Sequence, residues 1–245
     1  MYSGFYSAAS GMLTQQRNLN TIGNNLINSQ TPGYRAERTV VSEFEEHLMY
    51  RVEDGRYVPI GNQTQVTAVE DIPVLLDESS IYESGNPYDL AIIGEGYFNI
   101  NAEGQTFLTR NGCFNIDEEG YLVLDEVGRV QGENGDIFIG GSDFTVDALG
   151  NVYDHNGNYS DRLYITAPAE GSEMIRFNTT NFITNEVTRV ENATVRQSVY
   201  ERSNINMNDE YTRLIEAQAA FRSCSTALQM IDTMNAKSAQ LASIT

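Results

Sequence analysis

Apolar side chains recur every seven residues at both ends of this 245-residue chain, and the pattern is lost between them. From the N-terminus, Phe5, Met12, Leu19 and Leu26 form one series, with Ala8 and Ile22 three positions after its first and third members. Near the C-terminus, Leu214, Phe221 and Leu228 form another, joined by Ala217, Cys224 and Ile231. Such series are the a/d seams of amphipathic helices. They predict helices over 3–28 and 208–242, roughly 39 and 52 Å long at ~1.5 Å per residue. Asn208 is the expected N-cap, Asp209 and Glu210 suit the positive first turn, and Lys237 suits the far end. Two helices so distant in sequence leave everything between them to fold as an insertion.

The seams are thin. Gln15, Ser29, Asn235 and Ser238 occupy seam positions, and a two-helix hairpin of this kind is marginal alone in water. One reading is an ordinary helical pair packed on the central domain. The other is a pair that buries its second face only against other subunits. Arg17 is the only charge in residues 1–34, whereas a solvated surface helix carries a charged stripe, and this favours the second reading.

Charge is distributed as unevenly as periodicity. The chain carries 34 acidic and 15 basic side chains, a net of -19, and Lys237 is its only lysine. Residues 1–35 are at +2, residues 203–245 at -1, and residues 36–202 hold all the net acidity. A balance this negative argues against nucleic acid and anionic membrane surfaces as partners. The 40% hydrophobic fraction describes a folded chain. No stretch approaches the ~20 apolar residues of a membrane span. The first 30 residues lack the basic and apolar regions of a secretory signal, so export, if it occurs, needs a route without a cleaved signal. Two cysteines, Cys113 and Cys224, are too few for a disulfide framework and are expected as free thiols.

The middle reads as β structure. Pro32 and Gly33 in Thr31-Pro32-Gly33-Tyr34 fit the central positions of a type II turn. A weak repeat follows at Phe98–Gly104, Phe114–Gly120 and Phe144–Gly150: Phe, a branched residue two on, Asp or Asn next, and Gly three later. Alternation puts Phe and Ile or Val on one strand face, and the Asx-x-x-Gly step suits a type I turn closed by a left-handed Gly. Each unit should start a hairpin, and Asn134-Gly135 and Asn156-Gly157 are further tight-turn signals. The fold class is therefore α+β, with an antiparallel β-rich domain inserted between terminal helices.

Catalytic and metal patterns are weak. His47 and His155 have no metal-ligand spacing. The run Asp154–Asp161 imitates the opening of a calcium loop, but Tyr159 replaces the required Gly and Ile165 stands where a bidentate Glu belongs. Gly94-Glu95-Gly96 precedes a strand and lacks the third Gly of a dinucleotide loop. Carboxylates are plentiful, yet nothing singles out a glycosidase pair. No catalytic residue, cofactor or metal is expected.

Three separated blocks carry a resemblance. Asn24-Asn25-Leu26-Ile27-Asn28-Ser-Gln-Thr31-Pro32-Gly33-Tyr34 resembles the N-terminal signature of bacterial flagellar rod and hook axial proteins. Asp89–Phe98, which contains Gly94, Gly96 and Phe98, looks like their central motif, followed by Thr109–Phe114 and Asp117–Val123. Ser203-Asn204-Ile205, Gln218–Phe221 and Asp232 match at the C-terminus. Ile27, Ala219 and Cys224 depart from the usual small residue, Arg and Asn. By length the chain is more similar to a rod protein, of distal or proximal accessory type, than to a hook protein.

The resemblance implies terminal helices (1–34 plus 204–245) that pair as a coiled coil and line the inner tube of a helical assembly. It also implies an extended connector (35–75 plus 186–203) and an outward β domain (76–185). It implies copies of itself and other axial proteins as partners, and uncleaved passage through the flagellar type III export apparatus to a basal body outside the cytoplasmic membrane. No nucleic acid and no membrane insertion are expected. Phe5, Met12, Leu19, Ile22, Leu26, Leu214, Phe221, Leu228 and Ile231 are the candidate subunit-interface residues. Asn24, Asn25 and Asn28 terminate a helix in one reading, since Asn tolerates left-handed backbone; in the other, Asn24 and Asn28, one turn apart, bond a neighbouring subunit. The competing function is a secreted acidic β protein with a carbohydrate-binding or glycosidase role.

Overall fold

The computed structural model describes residues 2–53, 56–77, 79–102, 104–141, 143–169 and 171–242. The chain divides into two units, one made of Met1–Ile27, Glu37–Leu75 and Asn206–Thr245, the other of Asn28–Ala36 and Leu76–Ile205.

The first unit holds two helices, α1 (Tyr2–Ile27) and α2 (Met207–Ala242). They pack together antiparallel: a Cβ built on Gly4 would lie 3.9 Å from Ile231, and one on Gly11 3.3 Å from Cys224 Sγ. The α2 cap is Asn206, not Asn208. The Asn206 side-chain oxygen accepts the Asn208 N–H at 3.1 Å, and its carbonyl accepts the Glu210 N–H. Asp209 and Glu210 lie in the first turn as anticipated.

The same unit contains a long antiparallel hairpin, β1 (Val40–Glu53) and β2 (Arg56–Asp71), paired from Val40–Asp71 to Glu53–Arg56. The stretch read as a connector is thus largely paired with itself.

The second unit is antiparallel β structure, and it includes residues 186–203. Among the described residues its largest sheet has nine strands, with Tyr97–Ala102 at its centre between Gln105–Thr109 and Gly128–Val130. A three-stranded meander (Phe144–Val146, Asn151–Asp154, Tyr159–Arg162) and two short pairs complete it. Leu90, Phe98, Ile100, Phe114, Leu122, Val130, Ile137 and Val152 form one fully buried core, in which Phe98 and Phe114 meet edge to face at 5.1 Å. Burying each such side chain contributes ~1.5–3 kcal/mol.

The repeat seen in the sequence has a physical basis in its turns. In Asp117–Tyr121, Asp147–Asn151 and Asp154–Asn158 the Asp Oδ1 accepts the backbone N–H of residues two and four positions on, at 2.8–3.0 Å. The fourth residue of each is a Gly with φ between 79 and 89°, where a side chain would be strained. The calcium-like run is one of these turns, its Asp154 carboxylate engaged by Asn156 and Asn158. The first unit differs: Asn101 takes the Asp place, and the hairpin closes with Ala102 opposite Gln105.

Candidate assembly surface and its anchor

Within the helical unit the contact line on α1 runs through Gly4, Gly11 and Asn18, and on α2 through Ala217, Cys224 and Ile231. The seven-residue period is as read, but small residues take the centre of the α1 line, because absent side chains let two backbones approach closely. Of the candidate interface residues, Ile22 is buried, while Met12, Leu19, Leu26, Leu214, Phe221, Leu228 and Ile231 are half-buried and Phe5 is 37% exposed. Phe5, Met12 and Leu19 each follow a contact-line position by one residue, about 100° round the helix, and so flank the contact.

Beyond them the pair shows apolar surface to solvent. Leu13 is 63% exposed, Ile27 80% and Ile215 68%, and Tyr6, Met230 and Met234 are exposed too. With Gly4 opposite Ile231, residues 234–242 of α2 run past the start of α1 by roughly 14 Å. Every residue in that overhang from Met234 to Gln240 is exposed.

A second stripe of α1, comprising Ser10, Thr14, Thr21 and Asn25, is buried although polar. Hydroxyls there turn back on their own helix, as Ser10 does to the Ser7 carbonyl at 3.0 Å and Thr21 to Arg17 at 3.2 Å. Thr39 donates to Thr21, and the Asn25 amide pairs with the Glu37 backbone twice, donating to its carbonyl at 2.8 Å and accepting its N–H at 3.0 Å. Asn25 is therefore an internal clamp on the returning chain. Asn28 serves the turn after the helix, where Thr31 donates to it through both its backbone N–H and its hydroxyl. Asn24 is exposed on α1.

In the β unit, Thr31-Pro32-Gly33-Tyr34 forms the expected turn, with Tyr34 N–H bonded to the Thr31 carbonyl and Gly33 at φ 67°. A Cβ on Gly33 would fall 2.2 Å from the Asn111 backbone nitrogen, so both conformation and space require glycine. Gly33 N–H bonds the Glu201 carbonyl at 2.8 Å.

Arg35 follows, and it ends in a buried cluster with Glu201 and Arg110. Glu201 Oε1 meets Arg35 at 2.8 Å, and Oε2 meets Arg110 at 3.2 Å. One carboxylate for two guanidiniums leaves positive charge in excess, and backbone carbonyls supply the balance. Arg35 donates to Asp77 O, and Arg110 donates to Ile92 O and Gly94 O.

Gly94 and Gly96 of the central motif thus border this cluster, Gly96 with its backbone against Ile165, while Phe98 sits in the core. Arg110 also stacks over Tyr97, 5.2 Å from the ring centre. Burial pushes the Tyr97 hydroxyl pKa up, against the opposing pull of Arg35 and Arg110. Arg176 lies over both Tyr34 and Phe182 and donates to the Arg35 carbonyl.

Sequence reasoning missed Arg35 and Glu201 as partners. Each stands among polar and charged neighbours in the sequence, Glu37 and Arg38 near Arg35 and Arg202 beside Glu201, so no local signal marks either. Cys113 and Cys224 are free. The Cys113 thiol, desolvated by burial and beside Asp89, is pushed up to about 12, so it stays a protonated thiol at neutral pH.

Comparison with known proteins covers the same three blocks. The family described as flagella basal body rod protein matches residues 5–35, the flagellar hook protein FlgE/F/G D1 domain matches 91–213, and the flagellar basal body rod FlgEFG protein C-terminal family matches 196–241. The chain is 30% identical to the flagellar basal-body rod protein FlgG of Agrobacterium fabrum, over 93% of this chain and 94% of the relative. It is 30% identical to FlgF of Caulobacter vibrioides over 91% of each, and 28% identical to FlgG of Bacillus subtilis over 95% and 96%.

Proposed function

The chain belongs to the family of flagellar basal-body rod proteins, and we propose that it polymerises through α1 and α2 into a helical tube that carries motor torque to the hook. It is a structural subunit of the basal-body rod, not an enzyme, and that membership replaces the carbohydrate-binding alternative.

The observation that carries the polymerisation reading is the apolar surface of the helical unit. Leu13, Ile215 and Met230 are mostly exposed on helices whose own contact leaves Phe5, Met12, Leu19, Leu26, Leu214, Phe221 and Leu228 incompletely covered. Burying them against neighbouring copies and other axial proteins recovers ~25 cal/mol per Å² of apolar area. In this reading the paired helices act as a coiled coil around the inner tube, and the β unit is the outward domain. Asn24, exposed on α1, faces a neighbour. Export runs through the flagellar type III apparatus without a cleaved signal, to a rod outside the cytoplasmic membrane. Helices that complete their burial only in the assembly suit passage as a loosely folded chain.

Deletion of residues 1–30 or of 205–245 tests this. Neither shortened chain should be recovered in purified hook–basal bodies, although both should be made in the cell. Recovery of either at the intact chain's level would defeat the proposal.

A further inference from the structure

Inside the helical unit, a cavity of about 360 Å³ opens between α1, the chain at 37–39 and the first turns of α2. Glu210 lines it and is only 6% exposed. One of its oxygens, Oε1, accepts from Arg213 at 3.2 Å. The other, Oε2, is buried and has no hydrogen-bond partner among the described residues. A carboxylate oxygen shielded from water without a donor is costly, and the cost is relieved when a donor arrives. Glu37 and Glu216 add two carboxylates to the wall, against the guanidiniums of Arg38 and Arg213, so the cavity is one positive charge short of balance.

We infer that this cavity receives a guanidinium from a second copy of the chain, and we assign that group to Arg222 of α2. Arg222 is exposed and in no ion pair among the described residues. It lies twelve residues after Glu210 on α2, about 18 Å along the axis and about 120° round it, so it points away from the cavity of its own subunit. A planar guanidinium can serve Glu210 Oε2 and a second acceptor on the wall at once, which an ammonium cannot do as well. In the helical polymer proposed above, donor and acceptor of each contact lie on successive copies, so the contact is heterologous. It repeats from copy to copy without closing, and it gives the series a direction. The inference rests on the polymerisation reading and adds to it one specific contact.

Charge exchange tests it in hook–basal bodies purified from cells that make each variant in place of the native chain. Arg222→Glu should lower incorporation at least tenfold while leaving the melting temperature of the monomer unchanged, as should Glu210→Arg if its monomer folds. The double variant should return to within about threefold of the native level. If Glu210→Arg does not fold, Glu210→Gln and Arg222→Gln should each lower incorporation, and combining them should lower it no further. Native incorporation of Arg222→Glu, failure of the exchange to rescue, or additive losses in the Gln pair would overturn the inference. Native incorporation of Arg222→Glu together with loss on deleting 1–30 defeats this contact alone. Native incorporation of the deleted chain defeats the polymerisation reading itself.

Discussion

The two units bury their apolar side chains to very different degrees. In the β unit Leu90, Ile100, Leu122, Val130, Ile137 and Val152 are fully enclosed. In the helical unit only Ile22 and Ala217 among the described hydrophobic helix residues are buried, each still 4% exposed, while Leu13, Ile215 and Met230 remain open. Both units use apolar periodicity, of two in the strands and of seven in the helices, yet only one completes a core within the chain. The lesson concerns where stability resides. A substitution in the β unit should be felt by the monomer, and one on the helices should be felt mainly by the assembly.

The largest effect belongs to Glu201. Glu201→Ala leaves Arg35 and Arg110 facing each other in a buried site, and breaking such an arrangement costs about 3–5 kcal/mol. Urea unfolding of the purified chain measures it. A loss under about 1 kcal/mol would mean that the carbonyls of Asp77, Ile92 and Gly94 hold the two arginines unaided.

That cluster also marks the boundary of what could be read from sequence. The helices were legible because a seven-residue period is local, and the Asp-x-x-Gly turns because one side chain wires each of them. Arg110 and Glu201 stand 91 residues apart, and no local pattern joins them. Asn25 was legible as a motif residue, but its clamp on Glu37 was not, since it depends on the chain reversing after the Thr31–Tyr34 turn. The phase of the α1 contact escaped for a related reason. Periodicity weights large side chains such as Phe5 and Met12, whereas close backbone approach selected Gly4 and Gly11.

Next in size is Gly33→Ala, which combines a φ of 67° with a contact on the Asn111 backbone and should cost about 1–3 kcal/mol. Gly85→Ala is the control, since its φ of 73° is similar but nothing lies within 4 Å of the added Cβ. If the two variants melt together, backbone conformation alone explains the requirement and the close packing is irrelevant.

Acid should weaken the β unit selectively. Hydrogen bonds from Tyr121 hold the Asp117 pKa below the usual range, and those from Asn158 do the same for Asp154. Burial pushes Asp147 upward, yet the bonds from Asn151 and Leu149 prevail and its pKa is also lowered. A depressed folded-state pKa stabilises fully above the unfolded value near 3.9, and the contribution is lost as pH falls through the folded value. The melting temperature should therefore hold between pH 5 and 7 and decline below about pH 4. Replacing all three residues by Asn should flatten that decline, and an unchanged acid limb would assign it to other carboxylates.

The smallest effect on the monomer should come from the exposed helix face. Ile215→Ser and Leu13→Ser remove apolar surface that the isolated chain leaves mostly in water, so each should change its stability by no more than about 0.5 kcal/mol. In the rod the same side chains would be enclosed, and a polar replacement there loses the burial of a whole Ile or Leu, ~1.5–3 kcal/mol at every repeated contact. The pair of measurements separates the two units more sharply than any core mutation can. Monomers that melt like the native chain but fail to enter hook–basal bodies place the missing half of the helical core in the neighbour. Monomers that unfold would place it within the chain, and the contrast between the two units would then be one of degree.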